Sequence, residues 1–523
     1  MRCSFHEMLQ SPDARFPVGA EVVTSRGVPP SGENPPPVAL ARELLKDPRI
    51  GWISVTDNPG GHPMLPPDWL AGQLADFSQN IVLHLACKDF NRIGLESQLW
   101  RYAAEGFENV LALSGDLPVE GFPKPGKGVF DMDSVTLLNM IRSMNQGLTV
   151  PGRGGKPETL SPTAFFPGCV VNPFKRNENE LVPQYAKLLR KIHAGAAWVL
   201  PQLGYDMRKF AEIKRFLDLQ NMEVPLIGNV YVLTKTAAKL FHSGKLAGCV
   251  VNDGLLAEIE KYTAGADKGK SYFREFAAKQ LAVFRGLGFA AGYLGGISKP
   301  DTFLEIMDLA ETFAPEDWKT FYKEIQFSQP EEFYFFDTEE MPEPNPVLKK
   351  PQRTGNINLF YRFSRSVHTL AFRRNRALYP LFRRFFQLLD GKSLLCRLGL
   401  KLVHGIEETS KHLLYGCQDC GDCALPETAY ICPMARCSKN MRNGPCGGSN
   451  GGHCEAEDKP CLWTIAYDRL KYFGEWKDFT ESPVFLQNAA LQGTSSWRNL
   501  YLDRDHGVPT EERPSRDGHL GSR

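Results

Sequence analysis

Eight of the thirteen cysteines in this 523-residue chain lie close together: Cys417, Cys420, Cys423, Cys432, Cys437, Cys446, Cys454 and Cys461. Two residues separate each of the first three, and Cys432 is followed by Pro433. Short turns of this kind let several thiolates converge on one centre, and the CxxCxxC…CP run is close to the spacing that wraps iron–sulfur clusters. The eight thiolates would hold up to two 4Fe-4S clusters. Structural zinc is the alternative, because pairs such as Cys417/Cys420 suit a tetrahedral ion and His453 is a candidate mixed ligand. The third cysteine at the same spacing and the Cys-Pro step favour the cluster. Disulfides are not expected. The N-terminal stretch MRCSFHEMLQSPDARFPVG has no basic-then-apolar leader, so a cytoplasmic protein with reduced thiols is the expectation.

A second group of reactive residues interrupts or ends apolar runs in the first 230 residues. These are Glu21, Thr56-Asp57-Asn58, His84, Ser114-Gly115-Asp116, Gln202 and Asn229. A carboxylate inside an apolar run costs several kcal/mol unless paired or protonated, so Glu21 is expected to hold its proton and to suit general acid chemistry. The duller alternatives are an ion pair for Glu21, a hydrogen-bonded core imidazole for His84, and a turn-closing role for Asp116.

The elements that must position these groups form a repeat. Short apolar runs alternate with amphipathic helical segments: GAEVVT at 19, GWISVT at 51, NIVLHLA at 80, ENVLALSG at 108, TAFFPG at 163, AAWVLPQ at 196, PLIGNVYV at 225 and GFAAGYLGG at 288. Eight strands, apolar along their length and separated by helices, predict an α/β fold with a (βα)8 TIM barrel, followed by a smaller cysteine-rich metal-binding domain. In that fold, catalysis belongs to the loops at the carboxyl ends of the strands, where the polar residues fall.

The expected domains are a barrel over 1–312, an acidic, aromatic and proline-rich connector over 313–352, a basic helical and cysteine-rich domain over 353–490, and a disordered polar tail over 491–523. From Arg353 to Lys401 there are eleven lysines and arginines against one acid, Asp390, with aromatics at helical spacing. The expectation is that these aromatic faces pack against the rest of the protein, with a docking surface for an acidic redox partner as the sharper reading. Overall, 61 basic residues balance 60 acidic ones, so no global field recruits nucleic acid. No uninterrupted apolar run reaches the roughly 18 residues of a membrane span.

The segments EVVTSRG at 21, SVTDNPGGHP at 54, LHLACKDFNRIGLESQL at 83, NVLALSGDLP at 109, GVFDMDSVTLL at 128 and LLRKIHAGAAWVLPQLGYD at 188 together resemble the methylenetetrahydrofolate reductase family. The resemblance covers most of residues 16–312. The cysteine region is similar to the C-terminal module that accompanies such reductases in acetogens and other anaerobes, where iron–sulfur clusters are found.

The resemblance implies a flavin-dependent enzyme that passes a hydride to methylenetetrahydrofolate. The flavin would be FAD, with FMN as the variant, because Ser114 stands where many members have arginine. By position, Glu21 matches the acid that helps open the folate ring, and Asp116 matches the aspartate that contacts the pterin and tunes the flavin. Gln202 matches a folate contact. Thr56, His84, Leu113, Ser114 and Gly115 match flavin contacts, while Arg190 and Lys191 match a basic pair near its phosphates. An insertion, GCVVNPFKRNEN, blurs the match around the fifth strand, and no role is carried over to Asn172. The implied partners are the folate and NAD(P)H, with ferredoxin or an electron-transfer subunit as the other donor, in an oligomer. A folate or corrinoid methyltransferase and an electron-relay subunit are the rival readings.

Overall fold

The computed structural model of the chain describes residues 3–10, 16–30, 34–152, 154, 156–246, 248–337 and 357–507. They fall into two compact units. The first comprises Met1–Lys350 with Pro445–Asp458, the second Pro351–Gly444 with Lys459–Arg523.

The first unit is a parallel barrel. Its strands are β1 (Val18–Val22), β2 (Ile50–Val55), β3 (Ile81–Ala86), β4 (Asn109–Leu113), β5 (Phe166–Val171), β6 (Trp198–Pro201), β7 (Ile227–Tyr231) and β8 (Ala291–Gly295). They are hydrogen-bonded in the order β6-β5-β4-β3-β2-β1-β8-β7, and a parallel bridge from Val199 to Leu226 joins the two ends. Every residue of β2 and β3 is buried, as strands covered by helices on one side and a packed interior on the other must be. The amino ends of the strands are plugged by the helix Phe5–Gln10. Phe5 packs edge-on against Trp52 and Trp198, with ring centroids 4.9 and 5.2 Å away.

All eight expected strands are present in order, but β5 lies three residues further along than TAFFPG. Thr163 and the Phe165 amide are spent capping Asn145 Oδ1, at 2.7 and 2.9 Å. The strand runs from Phe166 to Val171, so the supposed insertion GCVVNPFKRNEN supplies its last four residues, Gly168 to Val171.

Residues 313–337, expected as connector, belong to the first unit. They form the helix Trp318–Glu324, and the Phe333 carbonyl accepts from buried Lys209 Nζ at 2.5 Å. The rest of the connector, 338–352, lies outside the described residues.

The second unit is built on the helices Leu359–Val367, Leu378–Leu389, Leu394–Tyr415 and Leu462–Phe473. Tyr379 and Phe386 bury one face of Leu378–Leu389 around Tyr501. That tyrosine lies in a region read as disordered tail. Instead, Ser496–Tyr501 is a helix capped by Ser495 and tied in by Asn499, whose amide donates to the Gly421 carbonyl at 2.8 Å. Polar composition misled here because the ordering comes from a few buried groups. Residues 508–523 lie outside the described set.

The expected packing of aromatic faces is half realised. Tyr361, Tyr379 and Phe386 are buried, whereas Phe363, Phe382 and Phe385 are exposed.

Candidate functional site

Glu21 lies on β1 beside β8, and burial raises its carboxyl above the ordinary range. Tyr293 on β8 donates its hydroxyl to Glu21 Oε2 at 3.3 Å, and the Gly296 amide donates as well. The same phenol bonds Ser54 on β2. Ser54 Oγ is 2.8 Å from His84 Nε2 on β3. Four neighbouring strands thus contribute one hydrogen-bonded chain: Glu21, Tyr293, Ser54, His84. Burial pushes the His84 ring down to about 4, so it is neutral at physiological pH. Tyr293 and Ser54 escaped the sequence reading, because a tyrosine or serine in an apolar strand gives no signal until the register sets it beside Glu21.

The loops after β2 and β4 meet above this chain. Asp116 Oδ2 accepts the Gly60 amide at 2.9 Å, and the Val119 amide donates to the Gly61 carbonyl at 3.1 Å. Gly61, at φ +77°, leaves no space for a side chain, since a Cβ would sit 2.0 Å from the Leu117 oxygen. Gly115 is equally constrained, at φ +89° with Lys88 Cδ 2.8 Å from where a Cβ would stand. Asp57, pushed up to about 6 by burial, accepts the Ala86 amide at 2.9 Å and so links β2 to β3. Ser114 Oγ donates to Ser134 Oγ at 3.3 Å.

Thr56 is buried, and its hydroxyl has no hydrogen-bond partner among the described residues. Leu113 ends β4 and is half-buried. Asn229 spends its amide on the Pro201 carbonyl at 3.1 Å, which leaves it a structural part of the barrel.

Arg190 and Lys191 lie on the helix Glu178–His193 and are buried. Lys191 Nζ donates to the Val170 carbonyl at 2.6 Å, and burial lowers it to about 8. Lys187 and Asp133 are its electrostatic neighbours, with Lys187 Nζ 3.8 Å from Asp133. This charged group includes two residues the sequence reading did not single out.

The carboxyl end of β5 carries a further surprise. Asn172 Nδ2 donates to the Gly447 carbonyl at 3.0 Å, and the buried Lys175 Nζ donates to the carbonyls of Gly447 and Ser449, each at 2.5 Å. Gln202 is close by, since a Cβ on Gly248 would touch both Asn172 Nδ2 and Gln202 Nε2. The segment Pro445–Asp458, with Cys446 and Cys454, is therefore seated at the barrel mouth as part of the first unit.

In the second unit Cys417, Cys420, Cys423 and Cys432 are electrostatic neighbours of one another. Backbone amides aim at the sulfurs. Asp419 N–H donates to Cys417 Sγ at 3.4 Å, Leu425 N–H donates to Cys423, and Ala435 and Met434 N–H to Cys432. Met441 N–H donates to Cys437, and in the first unit Gly448 N–H donates to Cys446 and Ala456 N–H to Cys454, at 3.4 to 3.5 Å, whereas Cys420 donates its Sγ–H to the Asp422 carbonyl. Burial raises the thiols of Cys417, Cys423 and Cys432, and the amides placed two to four residues after a cysteine act against it by favouring the thiolate, the form in which sulfur binds metal. Cys461 immediately precedes the helix Leu462–Phe473. His453 bonds the Asn450 and Gly451 backbone.

The sequence profile of the family described as Methylenetetrahydrofolate reductase matches residues 22–289, and that described as Methylene-tetrahydrofolate reductase C terminal matches 400–488. The chain is similar to Methylenetetrahydrofolate reductase 2 of Schizosaccharomyces pombe, 23% identical over 34% of this chain and 27% of that protein. It is likewise similar to Methylenetetrahydrofolate reductase 2 of Saccharomyces cerevisiae, 26% identical over 36% of this chain and 30% of the relative. These alignments span less than a third of either relative. Among solved structures, a Clostridium thermocellum protein described as binding two copies of 5-methyl-5,6,7,8-tetrahydrofolic acid aligns with 58% of this chain and 96% of its own, at TM-score 0.41 and 10% identity. With a family profile that matches residues 22–289, half of the chain, and contains six of the eight barrel strands whole, and a second over the cysteines, the chain belongs to the methylenetetrahydrofolate reductase family.

Proposed function

We propose that the barrel reduces 5,10-methylenetetrahydrofolate to 5-methyltetrahydrofolate, with electrons from NAD(P)H or from the cysteine-bound centre. The observation that carries this reading is Glu21, a half-buried carboxyl at the mouth of the barrel whose pKa is raised by desolvation. Opening the folate's five-membered ring requires a proton at the departing nitrogen, and a carboxyl whose hold on its proton is strengthened by desolvation suits that donation. Tyr293 orients Glu21 Oε2, and the neutral Ser54–His84 pair behind it adds no competing charge.

The residues present suit a flavin, FAD or FMN. The unpartnered Thr56 hydroxyl and the Cβ-free backbone at Gly115 offer a hydrogen bond and close backbone approach, whereas the phosphate role of Arg190 and Lys191 rests on the family resemblance alone, since both are buried in the last turn of Glu178–His193 and Lys191 Nζ is held by the Val170 carbonyl. A bound flavin would supply the hydride. Asp116 adds a carboxylate on the side where a cationic folate intermediate would gather charge, and Gln202 adds a polar contact for the pterin. The amide-lined thiols suit iron–sulfur chemistry, with zinc as the other occupant.

Glu21→Gln tests the assignment. The variant is expected to lose folate reduction by about 10²-fold or more while donor-to-flavin reduction persists, because only the folate step needs that proton. Stopped-flow absorbance separates the two half-reactions, and unchanged folate turnover would refute the role of Glu21.

A further inference from the structure

The helices Leu378–Leu389 and Leu394–Tyr415 form a hairpin in the second unit that is buried on one side only. Cys396 Sγ bonds the Leu388 carbonyl at 3.4 Å across the turn, and Tyr379 and Phe386 point into the core. On the other side Leu381, Leu388, Leu395 and Leu402 are 62, 77, 81 and 67% exposed, with Phe385 and Leu398 beside them. A face of this size is far from the scattered apolar residues an ordinary soluble surface carries.

Interleaved with it are Arg384, Lys392, Arg397 and Lys401, all exposed and with no carboxylate partner among the described residues. The one acid between Leu378 and Leu402 is Asp390, and it is taken by Arg498 and Arg504. The face is therefore apolar, cationic and without a compensating negative charge.

Three occupants would cover it. A second copy of the chain would bring the same cations against these and repel. A protein partner would exploit tyrosine, tryptophan and arginine anchors, yet Tyr361, Tyr379 and Tyr501 are turned inward and the open face is dominated by leucine, which is under-represented at binding hot spots. A lipid surface asks for what is there: Leu and Phe to enter the acyl boundary, and Arg and Lys whose stems lie on apolar surface while their heads reach phosphate. No described helix is long and apolar enough to cross a membrane, so the hairpin would lie in the plane of the surface.

We propose that the hairpin over residues 378–402 docks the protein on an anionic lipid bilayer. The reading stands independently of the reaction assigned to the barrel.

The test is co-sedimentation of the full chain with vesicles of phosphatidylcholine alone and of phosphatidylcholine mixed with phosphatidylglycerol. The wild type is expected to bind the mixed vesicles and not the neutral ones, with binding falling as salt rises. Lys392→Glu with Lys401→Glu should weaken binding at least about tenfold. Leu398→Glu with Leu402→Glu should abolish it. Both pairs alter exposed side chains, and circular dichroism checks that the fold survives. Absence of binding to the mixed vesicles, or binding by both variants at wild-type strength, overturns the proposal. Capture of a synthetic acidic amphipathic peptide, with the mixed vesicles ignored, overturns it in favour of a protein partner.

Discussion

A single tyrosine decides how the acid at the mouth is held. Without Tyr293, Glu21 would be a half-buried carboxyl answered by one backbone amide; with it, the carboxyl joins a hydrogen-bonded path that reaches His84 through Ser54. The imidazole also makes stability depend on pH. Above its ordinary value of 6.5 the ring is neutral in both folded and unfolded chains, so its contribution is complete. As pH falls from 6.5 towards 4, the unfolded chain takes up a proton that the buried ring refuses, and stability drops by something on the order of 3 kcal/mol. Urea denaturation between pH 4 and 7 should therefore show a steeper acid loss for the wild type than for His84→Gln, which cannot titrate. Equal slopes would mean that the ring is open to protonation in the folded state.

At the scale of elements, the strands announced themselves and the loops did not. Continuous apolar runs marked all eight strands, because a parallel sheet buried on both faces admits little else. The run at β5 starts three residues later than expected because Ala164 and Phe165 look as strand-like as Val170 and Val171, and only the Asn145 side chain, which takes the Phe165 amide, tells them apart. Glu21, His84 and Asp116 stood out as charged or titratable groups against apolar or glycine-rich surroundings. Ser54 and Tyr293 did not, since their importance comes from cross-strand register. Lys175 and Asn172 were illegible for a stronger reason, in that their partner is more than two hundred residues away along the chain.

The loop after β4 offers a direct test of element geometry. Gly115→Ala adds a methyl at positive φ and against Lys88, so it should cost about 1–3 kcal/mol and loosen flavin retention, read by urea midpoint and by absorbance after gel filtration. For the cysteine segment, Cys423→Ser should lower bound metal relative to wild type in elemental analysis of anaerobically purified protein, whereas Cys396→Ser, on the hairpin, should leave it unchanged.

For the molecule as a whole, the two compact units are not two consecutive stretches of chain. The polypeptide completes the barrel helices, builds much of the second unit, returns to lay Pro445–Asp458 on the mouth of the barrel, and leaves again. A protein ending at Lys350 would leave Lys175 Nζ without the Gly447 and Ser449 carbonyls. It is expected to be destabilised by about 1–3 kcal/mol relative to the barrel in the full chain, and Lys175→Met should recover part of that loss in the shortened protein while being harmful in the intact one. Chemical denaturation of the four proteins gives the comparison, and additive effects would show that Lys175 does not depend on the returning segment.

That returning segment also sets an order of events during synthesis. A nascent chain has made its eighth strand long before residue 449 leaves the ribosome, so a barrel emerging first must stand with an unfinished rim until much later polypeptide arrives to close it.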